Sequence, residues 1–268
     1  MADSVPVLVQ VADGVGTISL NRPHRHNAID DDTHDRLVEA WDEVLADPRV
    51  RVVLIRGEGP SFCSGRDTAQ LGERVAGESD LSFVRRHQLI RETQLTSAKP
   101  VIAAVRGATF GGGLEMALAA DIRIAASDVK MAFPEIRFGL MPDTGGTPLT
   151  TMLAGPSRAK WLAMSGRPID AARALAWGLV DEVVEPEELD KVAADFAAQL
   201  AESSSEALSM IKSAVDGMWA DAVRAALRAE LLSQVALFAG EDYQARKRAG
   251  LTDTHPVLRN SRDEDSHA

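Results

Sequence analysis

The 268-residue sequence has a single cysteine, Cys63, so the chain cannot form an internal disulfide. Cysteine-poor chains are typical of a reducing compartment. No run of about 18 apolar residues occurs, so no membrane-spanning helix is expected. The first residues lack the basic and apolar segments of a secretory signal. Together these absences predict a cytoplasmic protein without a membrane partner.

Positive charge and aromatic side chains are also scarce. The chain has 29 Lys and Arg against 40 Asp and Glu, which gives a net charge of −11 at pH 7 with histidine neutral. An acidic surface repels nucleic acid and anionic lipid, so neither is an expected partner. Aromatic residues make up only 4% of the chain and hydrophobic residues 45%. The composition therefore permits a sizeable core built from aliphatic residues and alanine.

Apolar runs and helical stripes alternate up to about residue 185, and the rest of the chain is almost entirely helical in pattern. The alternation predicts an α/β fold in which helices cover strands. Asp13-Gly14 between two apolar runs predicts a hairpin near the start. The helical end is expected to pack on the core or on another subunit, and the polar residues 253–268 are expected to be disordered.

The most informative segment runs from Val101 to Glu115. A β-branched apolar run ends at Gly107, and three consecutive glycines, 111–113, precede Glu115. This pattern predicts a strand, an open loop and the start of a helix. Bare glycine backbone lets a ligand approach the free amides of a helix N-terminus, which stabilise negative charge. We infer acid–base chemistry on a carbonyl compound; glycines that serve packing alone are the alternative.

Several better-known motifs are absent. Met116 occupies the position of the third glycine of a dinucleotide fingerprint, and no lysine follows the glycines as in a phosphate-binding loop. Phe62 stands where a nucleophile elbow around Ser64 would need glycine. The six histidines show no paired ligand spacing, so no metal site is predicted. Cys63 is more typical of a small buried residue than of a nucleophile.

A second carboxylate, Glu135, follows Phe133-Pro134 at the end of a predicted strand. Proline ends regular structure, so a turn should present Glu135. Together with Glu115 it could divide the roles of proton acceptor and proton donor. Either acid alone is more simply a helix-dipole partner or an ordinary surface group. The loop 60–67, which follows a buried strand, could supply a second backbone amide to an oxyanion.

These segments occur in one order, and in that order the chain resembles the enoyl-CoA hydratase/isomerase (crotonase) family. The resemblance covers residues 5–245 and is carried by Leu20-Asn-Arg-Pro, Asn27-Ala28, 62–67, 99–107, 111–115, 121–125, Phe133-Pro-Glu135 and 142–147. It implies a crotonase-like spiral of strand–strand–helix units over residues 1–195 and a C-terminal helical oligomerisation region over 196–252. A homotrimer or homohexamer is implied, with a coenzyme A thioester as the substrate and no prosthetic group.

The resemblance also implies roles for individual residues. In the family two backbone amides stabilise a thioester enolate, and they correspond here to the amides of Arg66 and Gly112. The hydratases place two glutamates around a water, and Glu115 and Glu135 fill both positions. The chain is therefore expected to be an enoyl-CoA hydratase that adds water syn across a 2,3-double bond. The coenzyme A portion is expected to contact Arg25, Ala28, Ser64 and Asp67.

Three positions depart from the family pattern. Asp143 replaces the residue that most hydratases have there, and in some relatives this acid serves double-bond isomerisation. A Δ3-Δ2 isomerase, or another acyl-CoA enolate reaction such as decarboxylation or hydrolysis, is therefore an alternative, and a non-catalytic binding protein is a further one. Arg66 and Arg106 stand where a small residue and Asn are frequent. An arginine beside the acyl entrance would narrow the pocket or recognise a polar or carboxylated acyl group.

Overall fold

The computed structural model describes residues 5–250, so the predicted disordered tail lies outside the described residues. The strands are β1 (Val7–Ala12), β2 (Val15–Leu20), β3 (Val52–Gly57), β4 (Val101–Val105), β5 (Ala108–Phe110), β6 (Ile122–Ala126), β7 (Lys130–Ala132), β8 (Ile169–Asp170) and β9 (Glu182–Val184). The helices are α1 (Asp31–Ala46), α2 (Asp80–Leu95), α3 (Gly112–Leu118), α4 (Gly146–Ala154), α5 (Pro156–Ser165), α6 (Ala171–Trp177), α7 (Leu189–Ala201), α8 (Ser205–Gly217), α9 (Ala220–Ala239) and α10 (Glu241–Arg248).

Two sheets form the framework. The larger has the strand order β1-β2-β3-β4-β6-β9, in which only the β1–β2 pair is antiparallel. That pair is the predicted hairpin, and Asp13 and Gly14 both take positive φ angles, 49° and 79°, as a tight hairpin turn requires. The smaller sheet has the order β5-β7-β8. Helices and strands alternate through the first two thirds of the chain, which confirms the predicted α/β class.

The prediction of an open loop between Gly107 and the three glycines was wrong. This segment contains β5, which pairs in parallel with β7 of the smaller sheet. A strand of three residues is too short to show an alternating pattern, and the surrounding glycines conceal it further. The chain passes from β4 in the large sheet to β5 in the small sheet and then into α3, and it repeats this strand–strand–helix order through β6, β7 and α4.

The core is aliphatic, as the composition predicts. One face of the large sheet packs against α7, where Leu189, Ala193 and Ala197 are fully buried at helical spacing. The other face packs on α1 and α3 and contains three fully buried aromatic side chains: Trp41, Phe62 and Phe133. Because α7 runs unbroken through residue 195, the core and the start of the expected oligomerisation region share one helix.

The last helices differ in how they are covered. Helix α9 packs on α2 and α4, whereas α8 has no buried residue. Large apolar side chains are exposed on α8 and at the turn after it: Met210, Ile211, Val215, Met218 and Trp219. Helix α10 has no apolar stripe that would predict it from the sequence, because its residues are mostly polar or charged and only Tyr243 is buried.

Candidate active site

A cavity of about 680 Å³ lies at the ends of the strands, between α1, α2, α3 and α9. It brings together all of the site residues predicted from the sequence. Its lining contains the candidate catalytic groups Arg66, Gly112, Glu115, Glu135 and Asp143 and the candidate coenzyme A contacts Arg25, Ala28, Ser64 and Asp67. Residues more than 100 positions apart in the chain thus share one space.

The loop 60–67 pairs with β5 through strand-like hydrogen bonds, and this pairing brings the loop that contains the Arg66 amide close to the Gly112 amide. The Cys63 N–H donates to the Ala108 carbonyl at 3.1 Å, and the Phe110 N–H donates to the Cys63 carbonyl at 2.9 Å. A Cβ atom added to Gly65 would lie only 3.4 Å from Gly112 N. Gly112 opens α3, so its N–H has no carbonyl one turn earlier to bind.

The Arg66 amide is left free by the same kind of pairing. Ile29 donates to the Gly65 carbonyl at 2.8 Å and accepts from the Asp67 N–H at 2.9 Å, which leaves the Arg66 N–H between them. Within residues 5–250, no hydrogen bond is made by the main-chain N–H of Arg66 or Gly112. Two unpaired amides at the wall of a cavity are suited to hold an oxyanion.

Glu115 is held at the N-terminus of α4. Its carboxylate is 2% exposed and accepts from Thr144 N at 2.8 Å, Thr144 Oγ1 at 2.5 Å and Gly146 N at 2.9 Å. Hydrogen bonds from helix N-terminal amides compensate a buried negative charge. The buried guanidinium of Arg91 adds a positive charge nearby; burial lowers the pKa of Arg91 to about 10, and the charge of Glu115 opposes that shift.

Glu135 is in the opposite situation. It lies in a short 3₁₀ turn that Pro134 begins, in agreement with the predicted turn. Its Oε2 is buried, and within the described chain no partner for this atom is found. Burial, and next the charge of Glu115, raise the pKa of Glu135 well above its usual range. Oε1 lies over Gly111, where an added Cβ would be only 2.6 Å away, so this glycine makes room for the acid.

Asp143 is a third carboxyl group at the same place. Burial raises the pKa of Asp143 well above its usual range, and the charges of Glu115 and Glu230 raise it further. We call Glu115, Glu135 and Asp143 the acidic wall of the cavity. Carboxyl groups with separated proton affinities at one site are a common basis for acid–base catalysis.

Glu230 of α9 was missed by the sequence reasoning. It accepts from Gly145 N at 2.8 Å and from Thr147 N and Oγ1 at 2.9 and 2.6 Å. Burial, followed by the charge of Glu115, raises the pKa of Glu230 to about 8. Glu115 and Glu230 therefore hold alternate amides of the loop 144–147. A signal existed, because Glu230 shares one buried helical stripe with Leu227, Gln234 and Phe238.

The side chains near the expected coenzyme A site are mostly engaged with each other. Asp67 is 6% exposed and accepts from Arg22 Nη1 at 3.2 Å and from Ala69 N at 3.1 Å, so its carboxylate holds the loop in shape. Cys63 is fully buried, and burial raises the pKa of its thiol to about 12, which agrees with a packing role. Arg106 pairs with Asp190 at 2.6 Å and does not line the cavity.

Residues 5–250 contain neither a candidate metal cluster nor a candidate membrane-spanning helix. In that part of the chain no group of three or more His, Cys, Asp or Glu side chains is placed to hold a metal ion. No helix there combines the length and the apolar composition needed to cross a bilayer.

Comparison with known proteins supports this reading of the fold. The enoyl-CoA hydratase/isomerase family profile matches residues 10–253. The 1,2-epoxyphenylacetyl-CoA isomerase of Escherichia coli (strain K12) is 36% identical over 213 residues, 78% of this chain and 81% of that protein. The short-chain-enoyl-CoA hydratase of Clostridium acetobutylicum is 35% identical over 217 residues, 80% of this chain and 83% of that protein.

A solved structure agrees with the sequence comparison. An enoyl-CoA hydratase/isomerase from Xanthobacter autotrophicus Py2 superposes with a TM-score of 0.83 at 30% identity, covering 92% of this chain and 94% of that one. The fold is therefore that of the crotonases, with the expected spiral core and C-terminal helical region. The chain belongs to the enoyl-CoA hydratase/isomerase family. Enzymes of this family act on coenzyme A thioesters without a prosthetic group.

Proposed function

We propose that this protein is an enoyl-CoA hydratase that adds water syn across the 2,3-double bond of an acyl-CoA thioester. One observation carries the proposal: Glu115 and Glu135 line the same cavity as the two free amides but differ in their surroundings. Glu115 is held by three hydrogen-bond donors, whereas Glu135 has a buried, unpartnered oxygen and a raised pKa. These surroundings favour Glu115 as the proton acceptor and Glu135 as the proton donor.

The proposed reaction uses each group once. The thioester oxygen accepts hydrogen bonds from the amides of Arg66 and Gly112, which draw electrons from the double bond and make C3 electrophilic. Glu115 removes a proton from a water molecule as its oxygen bonds to C3. The resulting enolate keeps its charge on the thioester oxygen, between the two amides. Glu135 then delivers its proton to C2 as the carbonyl re-forms, and exchange with solvent restores both acids.

The coenzyme A portion is proposed to lie along the cavity wall formed by Arg25, Ala28 and Ser64. Arg25 supplies a local positive charge for a polyanionic ligand in a protein whose net charge is −11. Asp67 is assigned an indirect part, because its carboxylate is occupied by Arg22.

Loss of crotonyl-CoA absorbance on hydration tests the proposal. We expect Glu115→Gln and Glu135→Gln each to lower the rate by on the order of 10²- to 10⁴-fold, the range typical of acid–base groups. Glu39→Gln is the matched control, because Glu39 is an exposed glutamate on α1 and should leave the rate unchanged. Substantial activity in either cavity variant would reject the two-carboxylate mechanism.

Isomerisation of a 3-enoyl-CoA is the second candidate, favoured by the third acid of the acidic wall. Asp143 lines the cavity with a raised pKa and so is available as a proton donor. Reaction in ¹⁸O-labelled water separates the two functions, because hydration places solvent oxygen at C3 and isomerisation does not. If the product carries no label and its formation depends on Asp143, the protein is an isomerase and the hydratase proposal is rejected. The E. coli relative is named as an isomerase of an epoxide, 1,2-epoxyphenylacetyl-CoA, so relatives of this chain are not confined to hydration.

We also propose a cytoplasmic homotrimer or homohexamer. The exposed apolar side chains of α8, among them Met210 and Ile211, are the support for an additional subunit contact. Sedimentation equilibrium measures the mass directly. A monomer at micromolar concentration would reject this assembly without affecting the proposed chemistry.

A further inference from the structure

One side of the cavity is lined by residues whose side chains the proposed hydration does not use. His34 of α1, Arg66 and His87 of α2 line this side, which we call the histidine wall. Within residues 5–250, four of their nitrogen atoms are buried without a hydrogen-bond partner: His34 Nε2, His87 Nε2, Arg66 Nε and Arg66 Nη1. Unpaired buried polar atoms destabilise a fold unless another group satisfies them. Four of them on residues lining a cavity indicate a binding site for a polar group.

The three side chains form one cluster around Phe83. The rings of His34 and His87 have centroids 4.5 Å apart, and the Phe83 ring lies 4.4 Å from that of His87. The Arg66 guanidinium lies 5.4 Å from the Phe83 ring centroid. Because the Arg66 main-chain amide is also the proposed thioester contact, this cluster lies near the acyl group of a bound substrate.

The charges of the cluster are balanced before any ligand binds. Asp31 Oδ1 accepts from Arg66 Nη2 at 3.0 Å and from Arg86 Nη2 at 3.1 Å. Arg86 Nε also binds Glu78 at 3.0 Å, so two guanidinium groups face two carboxylates, and the exposed Asp35 lies 3.6 Å from Arg86. A ligand carboxylate would lose its hydration here without meeting an uncompensated positive charge. The balance favours a neutral polar ligand.

His87 also requires a ligand that can donate. Its Nδ1 lies 2.8 Å from the Phe83 carbonyl oxygen, which only accepts, so Nδ1 carries the hydrogen. Burial lowers the pKa of His87 to about 3, so the ring is neutral near pH 7 and Nε2 keeps a free lone pair. Arg66, in contrast, offers only donors. A group that satisfies both must donate one hydrogen bond and accept another.

We propose that the substrate carries a hydroxyl on its acyl chain beyond C3 and that the histidine wall binds this hydroxyl. The hydroxyl donates to His87 Nε2, and its oxygen accepts from an unpaired N–H of Arg66. A hydroxyl is the smallest neutral group that meets both needs. The inference rests on the proposed coenzyme A thioester chemistry, since the thioester position defines the direction of the acyl chain.

Calorimetric binding of saturated thioesters tests the inference without any reaction. The ligands are hexanoyl-CoA, its 5-hydroxy and 6-hydroxy derivatives, and adipoyl-CoA, in which a carboxylate replaces the terminal methyl group. Because the hydroxyl would form two hydrogen bonds, one with His87 and one with Arg66, we expect a hydroxy derivative to bind roughly tenfold more tightly than hexanoyl-CoA. Equal binding of the hydroxy derivatives and hexanoyl-CoA, or tightest binding of adipoyl-CoA, would overturn it.

Variants locate the effect. His87→Phe keeps a planar ring without Nε2, and Arg66→Met removes the guanidinium while keeping the main-chain amide. We expect each to reduce the advantage of the hydroxyl to within about twofold. Arg85→Gln is the matched control, because Arg85 is exposed on the same helix and pairs with Glu92. A His87→Phe protein with native circular dichroism and an undiminished hydroxyl advantage would contradict the inference.

The outcomes also separate this inference from the proposed function. If no thioester binds, hexanoyl-CoA included, the proposed function fails and the hydroxyl site fails with it. If the thioesters bind with equal affinity, only the hydroxyl site fails.

Discussion

The acidic wall and the histidine wall of one cavity place ionisable groups in opposite electrostatic situations. On the acidic wall, burial and mutual repulsion raise the pKa values of Glu135 and Asp143. On the histidine wall, burial lowers the pKa of His87, and the arginines are matched by carboxylates. The raised pKa values suit the acids of the acidic wall to proton transfer. The neutral His87 and the paired arginines of the histidine wall are suited to hydrogen bonding. The two proposals accordingly place the reaction at the acidic wall and selection of the acyl group at the histidine wall.

Arg91→Met is expected to break the contrast most strongly, because it removes the buried positive charge beside Glu115. Arg91 is 4% exposed, and the charge of Glu115 acts on it. Arg91 also donates to Gln94 Oε1 and to the Gly112 carbonyl, so we expect loss of this buried charge and its hydrogen bonds to lower the free energy of unfolding by about 3 kcal/mol. Urea unfolding followed by circular dichroism measures it. Arg85→Met, an exposed arginine on the same helix, should cost less than about 1 kcal/mol, and equal losses would refute the argument.

Gly111→Ala sharpens the contrast because it disturbs the acidic wall at Glu135, together with the backbone beside the Gly112 amide, and leaves the histidine wall unchanged. The new Cβ would lie 2.6 Å from Glu135 Oε1, and the φ angle of 52° is unfavourable for alanine. We expect the rate of crotonyl-CoA hydration to fall by on the order of a hundredfold, because the displaced acid can no longer reach C2. Gly217→Ala on α8 meets no atom within 4 Å and should keep full activity. Wild-type activity in the Gly111 variant would remove Glu135 from the mechanism.

Glu230→Gln tests whether the acidic wall depends on the hydrogen bonds that Glu230 accepts from the loop 144–147. The amide of Gln would place a donor against the N–H groups of Gly145 or Thr147 and loosen the loop that holds Glu115. We expect kcat for crotonyl-CoA hydration to fall about tenfold with KM little changed, because the carboxylate is less well oriented. Steady-state kinetics measures both constants. The exposed Glu241→Gln serves as the control, and a changed KM with normal kcat would argue against a positioning role.

Glu230, which lies behind the acidic wall, and His87 of the histidine wall should affect the pH dependence of stability in opposite directions. The folded-state pKa of Glu230 is raised from 4.5 to about 8, so the stability that comes from the extra bound proton is lost as the pH rises from about 4.5 to about 8. The folded-state pKa of His87 is lowered to about 3, so stability falls as the pH drops below the unfolded value of about 6.5. Each group contributes at most about 1.4 kcal/mol per pH unit.

Urea unfolding between pH 5 and pH 9 checks this smallest effect. Glu230→Gln is expected to weaken the fall in stability as the pH rises to about 8, and His87→Phe is expected to weaken the fall in stability as the pH drops below about 6.5. If both variants keep the wild-type profile, these two groups do not set the pH dependence of stability.

Local pattern predicted the elements whose ends are marked in the chain. Strand β4 lies within the apolar run that was predicted as a strand, between Pro100 and Gly107. Strand β5 was missed because three residues carry no periodic signal and its stability comes from pairing with β7. A strand that exists through a distant partner has no local signature.

The candidate site was predictable to the extent that its residues lie in compact motifs. Glu115 and Gly112 are adjacent to the glycine run, and Glu135 follows a proline, so local chemistry drew attention to them. The meeting of His34 with His87 could not be inferred, because 53 positions separate them and only helix packing brings their rings to 4.5 Å. Groups that act through tertiary neighbours need the fold before they can be recognised.

The hold of Glu230 on the loop 144–147 has a consequence for biosynthesis. The ribosome releases α9 only after more than four fifths of the chain has emerged, so the loop that orients Glu115 lacks its second anchor throughout most of translation. In a nascent or truncated chain that ends before residue 230, the loop 144–147 lacks the hydrogen bonds to Glu230 and keeps only those to Glu115. If the proposed mechanism holds, full activity therefore requires synthesis of α9.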